Sequence, residues 1–162
     1  MDAAIPKAIS AFFDAASELR KLGVIRSDKY LGDLAEYICT HFYEIELASS
    51  GRQVGHDGID RDGFVQVKYH GSCTRTNIDL GNPDMYDHVL VVLGKTSLLR
   101  SSMYTDDFLV YRMSSNSVRQ YKNEAKGTYS CGKKPFERNA DQVFNLATTF
   151  TQPYLSATEN GG

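Results

Sequence analysis

The sequence predicts an α/β domain, with helices layered on one small mixed sheet, and three observations carry that prediction. Two N-terminal stretches repeat apolar residues at helical spacing: Ile5, Ile9, Phe12, Ala16 and Leu19, then Leu31, Leu34, Ile38, Phe42 and Ile45. A strand–turn–strand pattern follows over residues 55–68, with Asp62-Gly63 in its turn. Two apolar runs, at 86–93 and 108–113, then have the character of strands covered on both faces. The order helix, helix, hairpin, strand, strand, helix, helix contains no internal repeat and no domain-scale linker. A single domain is therefore expected over residues 1–150, with 151–162 as a poorly ordered tail.

Composition bounds the possibilities. With 162 residues, 41% hydrophobic and 23% charged, the chain has the make-up of a soluble globular protein that buries roughly 70% of its unfolded surface. No apolar run approaches the ~18 residues of a membrane span, and the N-terminus lacks the pattern of a signal peptide. A cytoplasmic location without a membrane partner is expected. Cys39, Cys73 and Cys131 lie far apart with no Cys-x-x-Cys pair, which suits free thiols in a reducing compartment and argues against zinc.

The net charge of −2 is unevenly spread. Residues 1–62 hold 11 acids against 7 bases. Residues 112–138 hold Arg112, Arg119, Lys122, Lys126, Lys133, Lys134 and Arg138 against Glu124 and Glu137. Such a segment is either a solvated surface or a patch that follows phosphates.

The elements follow in order. The first helix spans Ile5 to Leu22, with Pro6 in its first turn and Gly23 as its stop. Ser27-Asp28 can cap a second helix from about Lys29 to Tyr43. On that helix Glu36 falls opposite the apolar stripe, flanked by Gly32, Cys39 and Tyr43, small or polar neighbours that let it approach another element. A link over 44–54 includes a short strand at Ile45–Ala48. In the hairpin, a four-residue loop at 61–64 pairs Asp60 with Val65 and Asp57 with Lys68, while a bulged three-residue loop shifts this by one. The first alternative places Asp57, Gln66 and Lys68 on one face. Asp60 then points to the other face, and Asp62 sits in the turn for backbone reasons. Residues 69–85 are a turn-rich long loop. Ser114-Ser115-Asn116 can cap a helix from Val118 to about Ala125, on which Arg119 and Lys122 share a face. A last helix is expected over Phe136 to Thr149.

An acid on a helix with an Asp, a Gln and a Lys on one hairpin face makes a specific chemistry available. Oxygens of Asp57, Gln66, Glu36 and the Val67 carbonyl suit Mg²⁺, for which Mn²⁺ substitutes. Lys68 can touch the attacking water or a phosphate oxygen, and the set fits metal-assisted hydrolysis of a phosphodiester. Flanking residues have simpler roles. His88 is a satisfied core histidine, Tyr69 packs, and His56 and His70 border the site. Arg75, Asn77 and Lys95 lie in loops within reach of a nucleic acid.

The residues Gly55-His56-Asp57-Gly58-Ile59-Asp60, Gly63-Phe64-Val65-Gln66-Val67-Lys68 and, before them, Leu31-Gly32-Asp33-Leu34-Ala35-Glu36-Tyr37 resemble the PD-(D/E)xK superfamily of restriction-endonuclease-like nucleases. The likeness is to members with a Gly-x-Asp…Gln-x-Lys pattern, and its motifs cover residues 31–68. It implies a restriction-endonuclease-like core, a mixed four- to five-stranded sheet flanked by helices, and Mg²⁺-dependent cleavage of DNA. It makes Asp57 the metal ligand, Gln66 the second ligand, Lys68 the catalytic lysine and Glu36 the helix-borne acid. His56 stands where the eponymous proline would, and Gln66 where the family has an acid. A neutral amide lacks the charge term of a carboxylate and holds Mg²⁺ more weakly.

The expected function is thus an endodeoxyribonuclease of a restriction or phage-defence system. DNA (or RNA) would be held by Arg75, Lys95, Arg119, Lys122, Lys133 and Lys134, and a homodimer would cut both strands. The alternative, from another class, is a weakly active or inactive nuclease fold that serves as a nucleic-acid- or protein-binding module.

Overall fold

The computed structural model describes residues 4–22, 30–49 and 54–147. The chain divides into two compact units, residues 1–27 with 145–162 and residues 28–144. In the first, helix α1 (Ala4–Lys21) forms where the apolar spacing predicts it, with Arg20 and Lys21 in its last turn, the end that favours cations. The expected stop at Gly23, the Ser27-Asp28 cap and the tail at 151–162 lie outside the described residues.

The second unit carries α2 (Leu31–Phe42) and two sheets. The larger has six strands in the order β1 (Glu46–Leu47), β2 (Gly58–Asp60), β3 (Gly63–His70), β5 (His88–Gly94), β6 (Phe108–Ser114) and β9 (Gln142–Phe144). The smaller joins β4 (Ile78–Asp79), β8 (Thr128–Cys131) and β7 (Lys122–Asn123). Among the described residues only β3 and β5 pair in parallel. The long loop after β3 makes that possible, because a parallel neighbour needs a crossover of a dozen residues or more. The architecture is therefore α/β with a mixed sheet. It has six strands in place of the expected four to five: β1 falls within the short strand expected at Ile45–Ala48, and β9 is the addition.

Paired residues share a face, so Gln66, Lys68 and His70 lie beside Val89, Val91 and Leu93. The apolar part of that face continues into Leu109, Tyr111 and Met113 and is packed by Ile78, Leu80, Cys131 and Phe136. The opposite face carries Val65, Val67, Leu90, Val92 and Phe108. There Phe42 of α2 meets Phe144, which in turn meets Phe108. β5 is buried along its whole length, as its unbroken apolar run requires.

The C-terminal third departs from expectation. In place of a helix over 118–125, α3 (Ser115–Val118) passes into one 3₁₀ turn at Arg119–Tyr121 and then into β7. Ser114 is the cap, its Oγ accepting from Ser117 N at 3.1 Å. The helix stops because Asn123 Oδ1 takes the N–H groups of Ala125 and Lys126, at 3.1 and 3.2 Å, and Gly127 turns the chain with φ 65°. Arg119 and Lys122 therefore share no helix face. Instead of the last helix, a 3₁₀ turn at Lys134–Phe136 precedes β9. Tyr111 Oη donates to the Phe136 carbonyl, and Asp141 accepts from Arg112 N at 2.6 Å. These bonds to β6 hold the segment extended against that strand's edge.

The three cysteines are free, with Cys39 and Cys131 buried. Among the described residues no helix is long and apolar enough to cross a membrane.

Candidate active site

The hairpin is tighter than a four-residue loop. Asp60 pairs with Gly63, so only Arg61 and Asp62 remain in the turn. Gly63 makes this possible with φ 119°. A Cβ at that position would collide with the Asp87 carboxylate, whose Oδ2 accepts from Phe64 N at 2.7 Å. The register differs by two residues from the expected one, placing Asp57 opposite Gln66 rather than Lys68. Two is also the side-chain period of a strand, so Asp57, Gln66 and Lys68 still share a face.

At Asp57 the chain leaves the ladder. Its N–H donates to the Val65 carbonyl at 2.8 Å, and its own carbonyl accepts from Ala48 N at 2.8 Å. β3 runs on without β2, and the Val67 N–H, on the side where β2 would have continued, needs another acceptor. Asp57 Oδ2 supplies it at 2.6 Å and also accepts from Gln66 Nε2. The Val67 carbonyl points to the same side as its N–H and lies 3.4 Å from Gln66 Nε2. One carboxylate oxygen, one side-chain amide and one backbone carbonyl thus converge where β3 outruns its partner.

Glu36 reaches the same place from α2. Its carboxyl is pushed up to about 7, first by burial and then by the charges of Asp57 and Asp33. Cys39, one turn on, is pushed up to about 12 by burial and then by the carboxylates of Glu36 and Asp57. Asp57 is itself raised by burial, against the pull of the Val67 N–H, Lys68, His56 and Gln66. Lys68 has no ion pair among the described residues, and its Nζ lies beside Gly81.

The rival acids are structural, as parity predicts. Asp60 Oδ2 meets His88 Nε2 at 3.0 Å with both side chains buried, and Asp62 pairs with Arg112 at 2.8 Å. Tyr69 packs its hydroxyl end over Gly71 and Gly94. His56 stacks on Phe64 with ring centroids 4.4 Å apart.

The residues that would have to hold a Mg²⁺ here are Asp57, Glu36, Gln66 and the Val67 carbonyl, whose oxygens are of the type that ion takes. Among the described residues no three His, Cys, Asp or Glu side chains come together for a metal. A cation there would rest on two carboxylates and neutral oxygens. Gln66 turns its nitrogen toward Asp57, so it must rotate its amide to offer oxygen to a cation.

The expected phosphate contacts divide in two. Lys95 pairs with Asp107 at 3.5 Å, Arg119 with Asp84 at 2.6 Å and Lys122 with Glu124 at 3.0 Å. Arg75, Lys133 and Lys134 are exposed and form no ion pair among the described residues. The backbone of Thr76 packs against Gly132, so the segments that carry Arg75 and Lys133 meet beside the paired strands β4 and β8. Asp87 escaped sequence reasoning, because nothing local ties it to a hairpin 23 residues earlier.

No protein-family model matches the chain, and no curated protein matches it.

Proposed function

We propose that the chain is a Mg²⁺-dependent endonuclease with a restriction-endonuclease-like, PD-(D/E)xK core, hydrolysing DNA phosphodiesters as a homodimer in restriction or phage defence. The observation that supports this most is the capture of Val67 N–H and Gln66 by Asp57 beside Glu36, with Lys68 on the same strand face. A divalent cation held by Asp57, Glu36, Gln66 and the Val67 carbonyl supplies Lewis acidity and charge neutralisation at the phosphate. The chain's own residues do the rest. Asp57 is oriented through the Val67 N–H and Gln66. Lys68, without an ion pair among the described residues, holds the attacking water or a phosphate oxygen by its ammonium protons. In-line attack leaves a 5′-phosphate and a 3′-hydroxyl.

Plasmid, linear duplex and single-stranded DNA incubated with Mg²⁺ or Mn²⁺ test the proposal. Cleavage is expected to fall at least about a hundredfold in Asp57→Ala and in Lys68→Ala. Equal cleavage in the variants removes these residues from the chemistry. Absence of any cleavage, with metal-independent nucleic-acid or protein binding, assigns the fold to the binding-module class instead, a reading that the amide nitrogen of Gln66 facing Asp57 favours. Gln66→Glu gives a second readout. In EDTA the new carboxylate replaces a buried donor to Asp57 with a like charge and destabilises the protein by about 1–3 kcal/mol. With Mn²⁺ its melting temperature should rise more than that of the wild type. A variant insensitive to Mn²⁺ leaves no role for position 66 in metal binding.

A further inference from the structure

A cavity of about 290 Å³ opens beside β3, lined by Lys68, Tyr69, Arg75, Asn77, Ile78 and Asp79. Its walls are set by local structure. Ile78 is buried, so Asn77 and Asp79 on either side of it face outward together. Pairing of Ile78 with Cys131 and Asp79 with Ser130 fixes their backbone. Asp79 Oδ1 accepts from Gly81 N at 2.8 Å, which leaves Oδ2 for a ligand. The loop bearing Arg75 is tied down twice. Ser72 Oγ accepts from Arg75 N at 2.9 Å. Buried His70 donates from Nε2 to the Arg75 carbonyl at 3.1 Å, while its Nδ1 accepts from Ser97 Oγ at 2.7 Å.

The cavity sits at the low end of the ~300–1,000 Å³ typical of small-ligand sites, about the volume of one nucleotide. It combines two cations with two side-chain oxygens that accept hydrogen bonds, and it shares Lys68 with the proposed reacting centre. We propose that it is a subsite for one unpaired nucleotide next to the scissile phosphate. Arg75 takes a phosphate of that nucleotide, and Asn77 and Asp79 accept from the exocyclic amino group of its base. The inference rests on the nuclease reading and narrows its substrate to single strands, flaps or frayed ends. It also sets a preference. Adenine, cytosine and guanine carry an exocyclic amino group, and thymine and uracil have none.

Mapped cleavage of 5′-labelled oligonucleotides, single-stranded and as blunt duplexes, tests this with the full chain and Mg²⁺ or Mn²⁺. Single strands should be cut about tenfold faster than duplexes, with thymine disfavoured about tenfold at one fixed position beside the cut. Asp79→Asn keeps an oxygen for Gly81 N–H but presents an amide donor to the base, so its preference should move toward thymine, whose O4 accepts. A purely structural Asp79 would not reverse a base preference. Asn77→Ala should weaken the discrimination, and Arg75→Ala should raise KM and leave the preference in place. Equal cutting of duplex and single strand, or an Asp79→Asn preference identical to wild type, overturns the subsite. Fluorescence anisotropy with the same oligonucleotides in EDTA separates the two readings. Asp79-dependent binding of single strands without cleavage keeps the subsite and overturns hydrolysis. Cleavage without base preference keeps hydrolysis and overturns the subsite.

Discussion

Glu36 holds its proton to about pH 7 because it is half-buried and faces the negative charges of Asp57 and Asp33. Its folded-state affinity for the proton exceeds that of an ordinary glutamate, so the native protein gains from binding it. That gain is complete below the ordinary carboxyl range, near 4.5, and is lost as pH rises through about 7. Metal-free protein should therefore lose stability between these limits. Glu36→Gln, which cannot ionise, should melt close to wild type at pH 5 in EDTA and above it at pH 8. Mn²⁺ should raise the wild-type melting temperature at pH 8 by more than that of the variant, because a cation relieves the carboxylate pair that the variant lacks. Equal melting of the two proteins at both pH values in EDTA would contradict the placement of Glu36 beside Asp57. This residue-scale arrangement was legible beforehand for a simple reason. Parity along a strand separates Asp57 from Asp60, and rotation about a helix places Glu36 between Gly32 and Cys39. Both are local properties of the chain.

At the scale of elements, the hairpin shows which information a sequence holds and which it does not. Asp62-Gly63 announces a turn, yet its length depends on the conformation Gly63 adopts and on Asp87, 23 residues away, which accepts from Phe64 N. Gly63→Ala brings a Cβ against that carboxylate and a side chain into positive φ. It should destabilise the protein by about 1–3 kcal/mol, measured by urea unfolding. A loss below 0.5 kcal/mol, on the order of a neutral surface change, would mean that the turn can relax into another register. The central strands β5 and β6 were readable because burial on both faces demands unbroken apolar runs. Residues 115–147 were not. Their helix-like patterns yielded to side-chain bonds at Asn123 and Asp141 and to the unpaired edge of β6. The Asn123 bonds are local, to Ala125 and Lys126, but they compete with the helix without changing its apolar spacing. The partner of Asp141, Arg112, is 29 residues away, where no local periodicity reports it. The parallel pairing of β3 with β5 likewise follows from the length of the intervening loop only once both strands are known to share a sheet.

Across the whole molecule, a net charge of −2 offers no general attraction to a polyanion, so any nucleic-acid affinity has to come from local groups of unpaired cations. The sequence counts seven bases over residues 112–138 as one basic segment, but three-dimensional pairing alters that count. Arg119 and Lys122 each lie within about 3 Å of a carboxylate, Asp84 and Glu124, which opposes the field an approaching phosphate would meet. Arg112 is engaged by Asp62 and Arg138 by Asp141. Arg75, Lys133 and Lys134 form no ion pair among the described residues, and the packing of Thr76 against Gly132 brings together the segments that carry Arg75 and Lys133. Each phosphate contact on a single strand contributes roughly 0.7 to the slope of log affinity against log salt. Changing Arg75, Lys133 and Lys134 together to glutamine should thus flatten that slope by about 2, measured by anisotropy between 50 and 200 mM salt. The double change Arg119→Gln and Lys122→Gln should alter it by less than half as much, since each removes a cation already offset by its acid. A larger effect from the double variant than from the triple would move the phosphate track to the β7–β8 side of the unit.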